Sequence, residues 1–273
     1  MTTMTTTNST KAIYWATILS ACTMGETAGD FLSFGLKFGY GWASCTLVVL
    51  LVIALVAEAR AKVPNEARYW TTIVIMSTTG TAFADFITRT LKLGYGRGSA
   101  FLTALFAVIY LLERLFKKTG LLNTSQAKAS VLPHIHIDAT SKSVLPQINI
   151  NPHTRILPAT DAFYWAAILV ASTFGTTMGD FVSDVLGFGF GRGSLFLGSL
   201  LAIVLFVEFR SKVSNKPRYW TALVITSTMG ATTGDFLTKP DALNLGYGWG
   251  AAVLIAVFSA IFFIGYRLKP VSS

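Results

Sequence analysis

Apolar positions recur in blocks of about 20 residues, the length a helix needs to cross a hydrocarbon core of ~30 Å, and four of these blocks open on one dipeptide. Tyr-Trp occurs as Tyr14-Trp15, Tyr69-Trp70, Tyr164-Trp165 and Tyr219-Trp220. An Asp follows each Trp by 15 positions, as Asp30, Asp85, Asp180 and Asp235, and a Phe follows each Asp. A glycine turn comes next: Gly39-Tyr40-Gly41, Gly94-Tyr95-Gly96, Gly189-Phe190-Gly191 and Gly246-Tyr247-Gly248. The first three turns begin nine residues after their Asp and the fourth eleven after, because Pro240-Asp241 sits in a two-residue insertion. The tryptophans are 55 residues apart within each half, and matching positions of the halves are 150 apart. Coincidences at so many fixed offsets define an internal repeat.

Each unit reads as helix, glycine turn, helix. The first helix is predicted to start at the Trp, an interfacial anchor, and to run through the Asp. The second is predicted over Ala43 to Ala59, Ser99 to Phe116, Ser194 to Arg210 and Ala251 to Arg267. The expected fold is all-α: a polytopic membrane protein whose eight transmembrane helices form four parallel two-helix repeats in two pseudo-symmetric halves. Residues 1–12 form an N-terminal tail, 13–116 the first half, 117–160 a linker, 161–268 the second half and 269–273 a C-terminal tail. The linker is too polar to span. It holds a smaller duplication, Ser130 to Pro133 and Ser143 to Pro146, consistent with a short hairpin. Its His134, His136 and Asp138 alternate as metal ligands on a strand can, or as plain polar residues on one face.

Composition agrees. Of 273 residues, 52% are hydrophobic and 13% charged, and the mean hydropathy is +0.57. The net charge of +9 raises a nucleic-acid partner, but basic loops account for it. The side bearing the termini and inter-repeat loops carries 16 Lys and Arg against 6 on the other, so both termini are expected in the cytoplasm, with the chain in the inner (cytoplasmic) membrane. Glu26 and Asp30 inside the first block rule out a signal peptide there. Cys22 and Cys45 lie in apolar segments and suggest neither a disulfide framework nor a zinc site.

Four units with Tyr-Trp at the start and Asp-Phe inside resemble a bacterial membrane-protein family known as a repeat of unknown function. Its members carry four tandem repeats, each with two transmembrane segments and a characteristic Trp. The resemblance covers residues ~13 to 116 and ~162 to 268. It implies the architecture and no activity, so function rests on the residues.

Fifteen residues place each Asp about 22 Å beyond its Trp, roughly two-thirds of the way through the core. A carboxylate there costs on the order of 3 kcal/mol and belongs in a bundle interior or watery cavity. Seven and eleven residues past the Trp stand Cys22 and Glu26, Ser77 and Thr81, Ser172 and Thr176, Ser227 and Ala231. Three beyond the Asp come Ser33, Thr88, Ser183 and Thr238. These offsets share a helix face with the Asp. Beside it runs a small-residue stripe, Gly25/Gly29, Gly80/Ala84, Gly175/Gly179 and Gly230/Gly234, suited to close helix contact.

The units differ in charge. Asp85 has Arg89, and Asp235 has Lys239, at i+4. Asp30 instead has Glu26, and Asp180 has Asp184, one turn away. If the halves pack about a twofold axis, Glu26, Asp30, Asp180 and Asp184 converge on one cavity able to hold a proton or cation. The alternative is that each Asp merely fixes its own hairpin. The candidate ion or substrate residues are therefore Glu26, Asp30, Asp180, Asp184, Asp85, Asp235, Thr176 and Ser183. Glu58, Glu113 and Glu208 read as interfacial ion-pair partners, and the turn aromatics with Trp42 and Trp249 as an outer aromatic belt.

No Gly-x-x-x-x-Gly-Lys-Ser/Thr loop occurs, and no helix contains His. ATP drive, catalysis and soft-metal ligation are not expected, nor is a cofactor or nucleic acid; the expected partners are the bilayer and a cation or small solute. The function that fits is a small secondary transporter using intramembrane carboxylates. A non-transport scaffold with structural Asp residues is the competing reading.

Overall fold

The computed structural model describes residues 2–61, 65–118, 160–210 and 216–267. The proposed linker hairpin, the His134, His136 and Asp138 set and the C-terminal tail lie outside them. Eight long helices occur among the described residues: α1 (Thr2–Asp30), α2 (Gly39–Arg60), α3 (Glu66–Asp85), α4 (Gly94–Lys118), α5 (Ala162–Asp180), α6 (Gly189–Arg210), α7 (Lys216–Thr238) and α8 (Tyr247–Arg267).

Two boundaries differ from the sequence reading. The first helices begin before their Trp; α1 extends back to Thr2, through the segment read as a tail. Asn65 and Asp161 cap α3 and α5 by accepting from the backbone N–H three residues on, at 3.2 and 2.7 Å. The glycine motif, read as a turn, is instead the start of the second helix. Its first glycine has φ between 66° and 71° in all four repeats, conformations a side chain disfavours, and the chain reverses there.

In three repeats one turn of π-helix follows the Asp: Phe31–Gly35, Phe86–Thr90 and Phe181–Val185. Its wide i→i+5 bonds close at 2.8 to 3.0 Å, from Leu36 to Phe31, Leu91 to Phe86 and Leu186 to Phe181. The fourth repeat stays α-helical to Thr238, and its two extra residues enter the following turn.

The four first helices close a ring: α1 packs on α3, α3 on α5, α5 on α7 and α7 on α1. Contacts between the halves thus repeat those within them. Each second helix lies outside the ring against the next repeat's first helix, α2 on α3, α4 on α5, α6 on α7 and α8 on α1. The small-residue stripe makes the inner contacts. A Cβ added at Gly80 would lie 2.7 Å from Ser172 Cβ, one at Gly175 2.7 Å from the Ser227 carbonyl carbon, and one at Gly230 2.6 Å from Cys22 Cβ. Gly25 abuts Ser77 in the same way. Each contact joins the glycine ten residues past one Trp to the residue seven past another, the same pairing four times, so the inner helices run in one direction.

Burial sorts the helices by chemistry. Outer helices turn large apolar side chains outward: Ile53 is 61% exposed and Leu195 74%. Inner helices bury Thr and Ser whose hydroxyls donate back to their own helix, as Thr17 does to Ile13 O at 2.7 Å and Thr226 to Ala222 O at 2.6 Å. Among the described residues, five helices are long and apolar enough to cross a membrane: α2, α4, α6, α8, and α5 with its π turn. The remaining three, α1, α3 and α7, stand in the inner ring, where their polar side chains face one another. The molecule is an all-α, multi-pass membrane protein.

The ion pairs predicted for Glu58, Glu113 and Glu208 form. Glu58 meets Arg68 at 3.0 Å, Glu113 meets Lys216 at 2.7 Å and Glu208 meets Arg218 at 3.3 Å.

If backbone contact at the glycines holds the ring, Gly175→Ala is expected to cost about 1–3 kcal/mol through overpacking. Gly41→Ala, which meets open space, is expected to leave stability unchanged. Thermal unfolding of the detergent-purified protein, followed by size exclusion after heating, reads both.

Candidate functional site

Steps of four residues along each inner helix build layers around the space that the ring encloses. The first layer is Tyr14, Tyr69, Tyr164 and Tyr219. Their hydroxyls form a closed cycle of hydrogen bonds at 3.2 Å (Tyr14 to Tyr69), 2.6 Å (Tyr69 to Tyr164), 3.1 Å (Tyr164 to Tyr219) and 2.8 Å (Tyr219 to Tyr14). Each hydroxyl has two neighbours and can donate once and accept once. Each Tyr ring also packs on the Trp of an adjacent repeat, with centroids 5.6 to 5.9 Å apart. Trp15, Trp70 and Trp165 are buried in these contacts. They are not the lipid-interface anchors expected from sequence.

Ile18, Ile73, Ile168 and Leu223 form the next layer, all buried. Cys22, Ser77, Ser172 and Ser227 follow, with Cys22 Sγ 3.6 Å from Ser227 Oγ. The fourth layer holds Glu26, Thr81, Thr176 and Ala231. Here the Glu26 Oε2 accepts from Thr81 Oγ1 at 2.9 Å and Thr176 Oγ1 at 2.5 Å. Gly234 leaves it room: a Cβ there would stand 3.0 Å from Glu26 Cβ. The fifth layer is Asp30, Asp85, Asp180 and Asp235, each 2–3% exposed.

Two cations enter this layer from the next turn. Arg89 Nε lies 2.7 Å from Asp85 Oδ1, and its Nη2 lies 3.7 Å from Asp180. Lys239 Nζ lies 2.6 Å from Asp235 Oδ2 and 3.8 Å from Asp180. The i+4 pairs expected from sequence therefore form, and both bases also reach Asp180. Asp30 has neither base on it. Its Oδ2, and Oδ1 of Asp235, are buried with no hydrogen-bond partner among the described residues. Carboxylate oxygens of Glu26, Asp30 and Asp235 lie within 4.8 Å of one another. These three are the residues that can hold a metal among the described residues.

Aromatic rings surround the two bases. Arg89 lies 5.8 and 5.9 Å from the Tyr40 and Tyr95 ring centres, and Lys239 Nζ lies 4.6 Å from that of Phe190. Phe190 is buried. Of the predicted outer belt, Trp42 and Trp249 are exposed at 75% and 77%, but Tyr40, Tyr95 and Phe190 face the bases.

Of the candidates named from sequence, Glu26, Thr176 and the four Asp residues gather in two adjoining layers. Asp184 does not: it is exposed. It shares its offset with Arg89 and Lys239, but an Asp side chain is too short to reach back as they do. Ser183 is buried without a hydrogen-bond partner. It faces its own repeat's second helix, 3.3 Å from where a Gly193 Cβ would stand. Thr81 and the tyrosine cycle were not singled out as site residues. The signal for the tyrosines was present, since each lies 16 residues, or four steps of four, before its Asp.

A ring of polar helices enclosing buried acids, jacketed by apolar helices, defines a membrane protein with its chemistry on the inside. The chain belongs to the family described as Repeat of Unknown Function (DUF347), whose model matches residues 13–63, 68–119, 163–214 and 218–270. No curated protein and no solved structure matches the chain.

The two kinds of buried carboxylate make opposite stability predictions. Lys239→Gln strands Asp235 and is expected to cost about 3–5 kcal/mol. Asp30→Asn removes a buried carboxylate that no base contacts and is expected to be neutral or stabilising. Thermal unfolding in detergent compares them.

Proposed function

We propose that this protein is a small secondary transporter that carries a cation across the inner membrane through the carboxylate layers of its inner ring. All eight helices cross the bilayer in this reading, as four repeats in fourfold pseudo-symmetry, with both termini in the cytoplasm as the basic loops require. The observation that carries it is the surplus of buried acid: Glu26, Asp30, Asp85, Asp180 and Asp235 against Arg89 and Lys239. A structural role does not need an acid without a base, since an uncompensated charge at this depth only destabilises. A transported cation, or a proton exchanged for it, compensates it.

The two ends of the ring have different parts in the reading. The tyrosine cycle and the aliphatic layer above it close the cytoplasmic end, because four hydroxyls in mutual contact and four packed aliphatic side chains leave no path for an ion. The acids lie nearer the other end, behind Arg89, Lys239 and their aromatic neighbours. Transport then requires the tyrosine cycle to open while the acid end closes. The bases give the empty carrier a way to remain compensated in part, and Asp180, which both touch, is the point where they share charge.

The scaffold reading draws on a specific observation too, the Arg89–Asp85 and Lys239–Asp235 pairs, which tie each π turn or helix end to its own helix. It offers no role for Asp30.

A flux assay separates the two. Proteoliposomes with a pH-sensitive dye inside are challenged with monovalent and divalent cations in turn. Wild type is expected to give a cation-dependent signal that is lost in both Asp30→Asn and Asp180→Asn. No signal with any cation, from protein shown to be folded, overturns transport in favour of the scaffold.

A further inference from the structure

We infer that Glu26, Asp30 and Asp235 form a binding site for one divalent cation of the hard, oxygen-preferring class. The inference rests on the proposed cation-handling role of the same layers and specifies the ion.

Geometry supplies the first argument. Three carboxylates from two adjacent helices, α1 and α7, bring oxygens within 4.8 Å of one another in a fully buried setting. Protein groups already hold two of them: Thr81 and Thr176 clamp Glu26 Oε2, and Lys239 clamps Asp235 Oδ2. Such clamping is how outer-shell groups orient ligands. The second argument is independent of the clustering. Asp30 Oδ2 and Asp235 Oδ1 accept from no donor among the described residues, and a buried carboxylate oxygen without one costs free energy unless something fills the role. A cation bound between them does so.

Charge selects the valence. With all five buried acids ionised, the two bases leave three negative charges. A monovalent ion leaves two of these uncompensated. A divalent ion leaves one, on the Asp180 that both Arg89 and Lys239 approach. The donors select the class. All are oxygen, which suits Ca²⁺, Mg²⁺ or Mn²⁺. The nearest thiol, Cys22, stands one layer away against Ser227, and all three histidines fall between residues 119 and 159, outside the described helices.

The test is binding, not flux, so it stands whether or not the protein transports. The full chain, purified in detergent and stripped with a chelator, is titrated with Mn²⁺ while the free-ion EPR signal is followed. Saturable binding of one Mn²⁺ per chain, displaced by Ca²⁺ or Mg²⁺, is expected. Asp30→Asn and Glu26→Gln are expected to weaken it about tenfold or more. Asp184→Asn, which alters an exposed acid outside the cluster, is expected to bind as wild type does. Asp30→Asn should fold, since its lost oxygen has no hydrogen bond to lose, and size exclusion verifies this. Absence of saturable Mn²⁺ binding to wild type, or equal binding by Asp30→Asn, overturns the divalent site. Binding without flux would instead keep the site and defeat the transport reading; flux without Mn²⁺ binding would do the reverse.

Discussion

Direct backbone contact between the inner helices is what everything else in this molecule depends on. Lipid gives helices no hydrophobic reason to associate, so contact must come from close packing and from hydrogen bonds that lipid cannot offer. Gly25, Gly80, Gly175 and Gly230 each abut the Cys or Ser that begins the polar stripe of the next helix. The same contact, made four times, closes the ring. Once it is closed, side chains at equal offsets share a layer and the polar stripes have nowhere to go but inward. The tyrosine cycle, the Glu26 clamp and the carboxylate layer all follow.

The four-residue step has a geometric consequence. Each step advances about 40° around a straight helix, so a stripe of four steps would wander off the interior. It stays inward only where the helices cross in the right-handed sense, the crossing that small residues at i and i+4 favour. The π turns after Asp30, Asp85 and Asp180 then end the stripe, with a wide turn that lets the chain reverse into the second helix. The fourth repeat reaches the same place with a longer turn and no π segment, and it is the repeat that supplies Lys239.

The sequence made the repeat and the buried acids legible because both depend on spacing along one chain. The Trp to Asp offset of 15 and the Asp–Arg and Asp–Lys pairs at i+4 carry over directly into structure. What spacing cannot give is the order of neighbours around a ring. A twofold arrangement of halves sets Asp180 across the axis from Asp30 but leaves open which acid stands on the neighbouring helix. The observed ring sets α7 beside α1, so Asp235 is the acid that joins Glu26 and Asp30. Side-chain length decided a second point. At one offset the repeats carry Phe34, Arg89, Asp184 and Lys239; the two long bases fold back to the acids, and Asp184 stays exposed. The tryptophans misled for a third reason. Position near a helix start suggests an interface, but a Tyr beside each Trp gave it a ring to pack on inside the bundle.

Closure of the ring between the last repeat and the first is the claim on which the site stands, and native Cys22 allows a direct test. Ser227→Cys, with Cys45 replaced by Ser, places a second thiol where Ser227 Oγ lies 3.6 Å from Cys22 Sγ. The protein is oxidised in native membranes, cut by protease within residues 119–159, and run on a non-reducing gel. The ring predicts that the two halves stay joined and separate on reduction. Halves that separate without reductant, after oxidation shown to be complete on a control pair, would contradict it.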